Sequence, residues 1–212
     1  MRLIIFGPQG AGKGTQSALI SQKYGVPAIS TGEIFRWAVT EGSDLGHEVA
    51  SYMTEGRLVP DDLTIKVVSE RLSAEDCAAG FLLDGFPRNL KQATALDELL
   101  AAKDVALNAA LVLEVPHEVS LRRITGRLMC ASCGAGYHLD APPETDGVCD
   151  NCGGDVVRRG DDVSDATVRT RLEVYHAQTE PLKKYYEDKG ILRIIDGMGT
   201  PDEVFARVAT VV

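Results

Sequence analysis

Gly7-Pro8-Gln9-Gly10-Ala11-Gly12-Lys13-Gly14-Thr15, directly after the apolar run Leu3-Ile4-Ile5-Phe6, is the stretch on which the fold turns. An apolar run, a glycine-rich turn and then a helical pattern read as a buried strand feeding a helix that starts near Lys13. Glycine has no side chain to block its N–H, so successive amides can turn inward around phosphate oxygens. The unsatisfied first amides of the helix and its positive dipole end point into the same hollow, where Lys13 adds a full charge. The spacing fits G-x-x-x-x-G-K-[ST] from Gly7 to Lys13, with Gly14 in the place of the hydroxyl residue and Thr15 next. The dinucleotide pattern G-x-G-x-x-G is not met, because Gly10, Gly12 and Gly14 are evenly spaced. A glycine turn without function is the bland alternative, and the lysine at its fixed place weighs against it.

Around this loop lie 212 residues, 44% hydrophobic and 25% charged, which is the make-up of a globular domain or of one core with insertions. The formal net charge of −9 argues against a nucleic-acid-binding surface, which would carry a basic footprint, but not against a local basic pocket for a nucleotide. Met1-Arg2 runs straight into the first strand, and no apolar run approaches the roughly 20 residues of a membrane span, so a cytoplasmic protein is expected.

Helical spacing predicts a helix over 13–24, a strand at 28–30, broken helices from 31 to 59, and a helix capped by Asp61-Asp62 whose Leu63, Val67, Val68 and Leu72 share a face. Phe81-Leu82-Leu83 is a second buried strand, ending in Asp84-Gly85, and is followed by a helix over 89–102 carrying Leu90, Ala93, Leu96, Leu99 and Leu100. A strand over 109–115 leads through Pro116 into a helix expected to hold Arg122, Arg123 and Arg127. Residues 128–163 are rich in Gly, Pro, Cys and Asp and lack helical periodicity. Regular structure resumes at Ser164, with Pro181 kinking a long helix, a strand over 191–195 and a last helix over 201–211. Alternating strands and helices predict a parallel sheet covered on both faces, with ligands at the strand C-termini.

The set GPQGAGKGTQ, STGEIFR (30–36), DGFPRNLKQ (84–92), RITGR (123–127) and RRGDD (158–162) closely resembles adenylate kinase, in order and over the whole chain. The resemblance implies a P-loop three-layer α/β/α core with a five-stranded parallel sheet, formed by 1–29, 60–126 and 165–212. It also implies a helical AMP-binding segment at 30–59 and a metal-binding lid at 127–164. It assigns ATP to Gly10, Ala11, Gly12, Lys13, Gly14, Thr15, Arg123, Arg127, Gly136, Tyr137 and Gly199. AMP and the transferred phosphoryl group go to Thr31, Arg36, Arg57 (through its backbone), Val59, Gly85, Arg88, Gln92, Arg159 and Arg171. Met53 is expected to pack near the base. Asp161 and Asp162 resemble acids near the lid hinge that orient Arg123 or Arg159.

The residues support this reading independently. Asp84 closes an apolar strand as a magnesium-binding acid would, holding the ion through its water shell and answering the missing hydroxyl at 14. Arg36 and Arg88 can grip phosphate oxygens with guanidinium forks, and Gln92 can meet a base edge as donor and acceptor. Arg123 and Arg127, four apart, are expected on one face of a helix end. Arg122, Arg158 and Arg169 fall outside the motifs and read as surface residues. In-line phosphoryl transfer needs charge compensation and positioning, which makes Lys13, Asp84, Arg88, Arg123, Arg159 and Arg171 the catalytic candidates.

Cys130-x-x-Cys133 and Cys149-x-x-Cys152 have the spacing of a structural zinc site, while Cys77 reads as a small buried apolar residue. A disulfide pairing is the alternative, disfavoured in a cytosolic chain. Iron or cobalt would fit the same soft ligands, and His138 could replace one cysteine.

The function expected is ATP + AMP ⇌ 2 ADP with magnesium, balancing adenine nucleotides in a monomer. A UMP or CMP kinase of the same fold is the near alternative. A GTPase would need N-K-x-D, which is absent, and a zinc-ribbon nucleic-acid module sits poorly with the acidic balance.

Overall fold

Leu3 and Ile5 point to one side of the first strand and Ile4 and Phe6 to the other, and all four are buried. A strand apolar on both faces needs a layer above and a layer below. The structure, a computed structural model, describes residues 1–162 and 165–212, without the side chains of Asp161 and Asp165.

β1 (Arg2–Phe6) runs through the glycine loop into α1 (Lys13–Tyr24). β2 (Ala28–Ser30) is followed by α2 (Thr31–Glu41), α3 (Asp44–Glu55) and α4 (Asp61–Arg71). β3 (Phe81–Asp84) precedes α5 (Leu90–Ala101), and β4 (Ala109–Glu114) precedes α6 (His117–Thr125). Then come β5 (Arg127–Cys130), β6 (Gly136–His138), β7 (Val156–Arg158), α7 (Asp165–Val174), a π-helical turn Tyr175–Thr179, α8 (Leu182–Asp188), β8 (Leu192–Asp196) and α9 (Pro201–Val208).

Five strands form the expected parallel sheet in the order β2-β3-β1-β4-β8. On one face Ile4, Phe6, Leu83 and Val112 meet Val68, Leu96, Leu100 and Tyr186. On the other, Leu3, Ile5, Leu111 and Leu113 meet Ile20 of α1 and Val204 and Val208 of α9. Fully burying one such side chain contributes roughly 1.5–3 kcal/mol, so Leu111→Asp would lose that and bury a charge as well. Among the described residues, no helix is long and apolar enough to cross a membrane.

Beside the sheet, α2 and α3 pack on each other around Phe35, Val49 and Val59. Ser30 Oγ accepts from Glu33 N and starts α2 at Thr31. Ser43 does the same for α3 through Gly46 N. A Cβ on Gly46 would press into the Ala38 carbonyl, so this glycine permits the close crossing of the two helices.

Several local expectations are corrected. Pro60, without a side-chain bond, is the N-cap of α4, and Asp61 and Asp62 sit in its first turn. The apolar residues of α4 divide between two clusters, Val68 and Leu72 in the main core and Leu63 and Val67 against Val59. Leu90 is 48% exposed. β4 stops at Glu114, β8 starts at Leu192, and α9 ends at Val208. α6 stops at Thr125, so Arg127 opens β5 and shares no helix face with Arg123. The segment that lacks helical pattern forms an antiparallel sheet, β6-β5-β7. The expected restart at Ser164 lies outside the described residues. The kink expected at Pro181 is taken up one turn earlier: Pro181 has no N–H to continue the helical ladder, and Glu180 N bonds back five residues to Tyr175 O.

Candidate active site

The carboxyl ends of β1, β2 and β3 face one cleft of about 1450 Å³, and every residue expected to touch a nucleotide borders it. The glycine loop forms one wall. Gly7 has φ +144°, and a Cβ there would run into the Leu113 carbonyl of the neighbouring strand. Gly12, in the left-handed region, is the N-cap of α1, whose first amides at Lys13, Gly14 and Thr15 have no carbonyl a turn earlier to bond. Ala11 N is taken by Pro8 O. Lys13 Nζ donates to Gly7 O at 2.9 Å and Pro8 O at 2.8 Å, so its ammonium is held at the loop's mouth. Burial pulls its pKa down to about 7, against the pull of Asp84, with Arg88, Arg127 and Arg171 pushing the same way as burial.

Asp84 ends β3 beside β1, in register with Ile5. A Cβ added to Gly14 would lie 3.9 Å from Asp84 Oδ2, so the carboxylate faces the position where a hydroxyl residue would stand. The hard oxygen donor and the lack of a side chain at 14 suit a hydrated divalent cation there.

Opposite the loop, Arg88 Nε and Thr31 Oγ1 both donate to Gly85 O, at 2.8 and 2.9 Å. A Cβ on Gly85, at φ +79°, would crowd both side chains, so glycine is needed for backbone and neighbours alike. Gln92, 1% exposed, accepts from Arg88 N and donates to Asp61 Oδ1. These bonds leave one amide hydrogen and one carbonyl lone pair for any further partner. The Arg36 guanidinium lies 3.0 Å from where a Gly32 Cβ would be. Arg57 rests over the Tyr52 ring and pairs with Glu55, its side chain half exposed. Met53 packs beside the Phe35 cluster, and Val59 O accepts from Thr64 Oγ1. Gly199, at φ +107°, borders the cleft from the loop between β8 and α9.

The remaining arginines converge from separate elements. Arg123 donates to Gly10 O and Gly197 O, tying α6 to the phosphate loop. Arg127 Nε donates to Asp162 Oδ2 at 2.7 Å, Arg171 donates to Oδ1 at 2.5 Å, and Arg159 lies 3.5 Å from Oδ2. Asp162, 9% exposed, thus meets Arg127, Arg159 and Arg171, so that of the two expected partners, Arg123 or Arg159, it is Arg159 that it faces. The side chain of Asp161 lies outside the described residues. Burial lowers Arg88 to about 10, helped by Arg171, Arg36 and Arg159 and opposed by Asp84. Burial also lowers Arg127 to about 10, with Arg159 and Arg171 repelling and Asp162 opposing. Both values lie well above neutral, so Arg88 and Arg127 stay cationic and place positive charge in the cleft of an acidic protein.

Three holding contacts were not legible as such in the sequence. Thr179 Oγ1 donates to Arg88 O at 2.7 Å, Ser120 Oγ donates to Gln9 O, and Asp61 holds Gln92. Each partner is far away in the chain, and helical spacing marks Thr179 only as a core position.

Beyond Arg127, the Sγ atoms of Cys130, Cys133, Cys149 and Cys152 lie within 4.8 Å of one another, and none of the five cysteines is in a disulfide. Ser132 N and Cys133 N donate to Cys130 Sγ, the turn of a metal knuckle, so the donor set fits a soft tetrahedral ion. His138 is turned away, its Nδ1 accepting from Asp140 N and its Nε2 against Arg122 O, which removes it as a ligand. The Tyr137 hydroxyl lies 3.3 Å from Cys149 Sγ, and this bond pulls the thiol down to about 6 and pushes the phenol up to about 12.

A parallel sheet whose first strand turns through a lysine-bearing glycine loop, with an acid at the end of the adjacent strand, defines a P-loop nucleotide-binding protein. The family described as Adenylate kinase matches residues 5–191. The chain is 53% identical over its full 212 residues to "Adenylate kinase" of Clostridium tetani (strain Massachusetts / E88), covering 98% of that protein. It is 50% identical to the protein of that name from Clostridium botulinum (strain Loch Maree / Type A3), covering all of this chain and 98% of the relative. With that from Syntrophobacter fumaroxidans (strain DSM 10017 / MPOB) the identity is 49%, over all of this chain and 99% of the relative. The chain belongs to the adenylate kinase family.

Proposed function

We propose that this protein transfers the γ-phosphoryl group of ATP to AMP, reversibly and with magnesium, giving two ADP and balancing adenine nucleotides. The observation that carries the reading is one cleft lined by the phosphate loop with Lys13, by Thr31, Gly85 and Gln92, and by the arginines. Its volume of about 1450 Å³ exceeds the roughly 300–1,000 Å³ of a single small-ligand pocket, as two nucleotides require.

In this reading Gly10, Ala11, Gly12, Lys13, Gly14 and Thr15 cradle the ATP phosphates. Arg123, Arg127, Gly136, Tyr137 and Gly199 flank the rest of that nucleotide. Thr31, Arg36, Val59, Gly85, Arg88, Gln92 and the Arg57 backbone receive AMP. Lys13, Arg88, Arg123, Arg159 and Arg171 surround the transferred group and stabilise the charge that spreads over its equatorial oxygens. Asp84 would hold magnesium through water, and the ion when bound supplies charge neutralisation to the β- and γ-phosphates. The segments 30–59 and 127–164 act as AMP-binding and lid units on the core of 1–29, 60–126 and 165–212. The four cysteines would hold zinc, which supplies the lid with a rigid centre that its few apolar residues cannot build. Unpaired thiols suit a reducing cytoplasm, and a single chain carrying both halves of the cleft suits a monomer.

An ADP-formation assay with a panel of monophosphate acceptors tests the reading. AMP is expected to turn over at least tenfold faster than UMP or CMP, and comparable rates would sink the assignment.

A further inference from the structure

The lid's cysteine cluster lies against the nucleotide cleft, which Cys133 lines together with Tyr137. Tyr137 lies in β6 opposite Leu128 of β5, and it borders the cleft. Its hydroxyl reaches into the cysteine cluster. Asp150 N donates to Tyr137 Oη at 2.8 Å, which leaves the phenolic hydrogen to point at Cys149 Sγ, 3.3 Å away. The first cysteine pair brackets the turn between β5 and β6, and Cys149 and Asp150 belong to the second pair's knuckle. One phenol therefore joins the two knuckles and fixes its own ring at the cleft wall.

We infer that Tyr137 is a positioning residue that couples metal occupancy of the lid to binding on the ATP side of the cleft. A thiolate bound to a metal keeps lone pairs that can accept a hydrogen bond, and such outer contacts commonly change metal affinity by 10–100-fold. The same bond sets the ring against the nucleotide, so each ligand favours the Tyr137 orientation that the other needs. Linkage then requires the effect to be reciprocal: metal tightens ATP-side binding by the factor by which that ligand tightens the metal. The inference rests on the proposed metal lid and ATP site, and its test separates the two levels.

Cobalt-loaded protein reports the thiolate shell directly through its sulfur-to-metal charge-transfer absorption. In the wild type, a non-hydrolysable ATP analogue is expected to slow cobalt release to a chelator about fivefold or more, whereas AMP leaves it unchanged. Tyr137→Phe keeps the ring but removes the hydroxyl. It should shift the charge-transfer band, speed release about tenfold and abolish the protection by the analogue. A variant with the wild-type band, release rate and protection overturns the coupling while leaving the metal lid and ATP site standing. Wild-type protein that binds no cobalt or no analogue instead removes the reading beneath it. If Tyr137→Phe does not retain metal, the wild type still decides, because release indifferent to the analogue overturns the inference.

Discussion

Lys13 combines a function with a cost. Its ordinary pKa of 10.5 falls to about 7 in the folded chain, chiefly through burial. Between those values the unfolded chain holds the extra proton, so this group makes stability rise with pH from about 7 to about 10.5. Below about 7 the folded state carries the full cost of a buried cation. Lys13→Met is therefore expected to raise the melting temperature at pH 6, with the advantage fading towards pH 10, while phosphoryl transfer falls by about a thousandfold or more. Calorimetry across pH and a coupled ADP assay check both halves. Asp162 has the opposite balance. Three arginines meet its one carboxylate, so Asp162→Asn leaves them facing one another and should destabilise the fold by about 3–5 kcal/mol. Urea unfolding should show part of that loss recovered by pyrophosphate, which supplies the missing negative charge.

At the level of elements, the π-helical turn Tyr175–Thr179 carries the Thr179 hydroxyl that holds the Arg88 carbonyl. Thr179→Val should raise KM for AMP about five- to tenfold, the equivalent of roughly 1–1.5 kcal/mol for one hydrogen bond, with KM for ATP unchanged. Thr179→Ser should restore it. The same element marks the limit of what the chain shows by itself. The phosphate loop, Asp84 and the paired cysteines are legible because their geometry is written within a few neighbouring residues. Arg127 leaves the face of Arg123 because a spacing of four means one helix face only while the helix lasts, and this one ends at Thr125. The strands β5, β6 and β7, three and four residues long, are too short for alternation to stand out. The partners of Asp162 and Thr179 depend on how distant segments meet, which no local pattern encodes.

For the molecule as a whole, the described residues of the proposed lid bury little apolar surface beyond Cys130 and Cys149, whereas the five-stranded sheet has a packed layer on each face. Chelation should therefore lower the temperature at which β5, β6 and β7 lose structure, with a smaller effect on turnover in the cold. Hydrogen exchange read segment by segment should show the lid opening first and the sheet unchanged. Immediate loss of all activity in a chain whose lid stays protected would refute a structural role for the metal.

The crowding of guanidinium groups around Asp84 and Asp162 also bears on how long the protein survives. Unliganded, the folded state contains mutual repulsion that the unfolded chain escapes, and a bound polyphosphate relieves it only in the folded form. A ligand at a hundred times its Kd favours the folded state by about 2.7 kcal/mol, roughly a hundredfold fewer excursions into forms a protease can cut. The lifetime of the chain in a digest should thus lengthen with nucleotide concentration, so that depletion of its substrates shortens its own persistence.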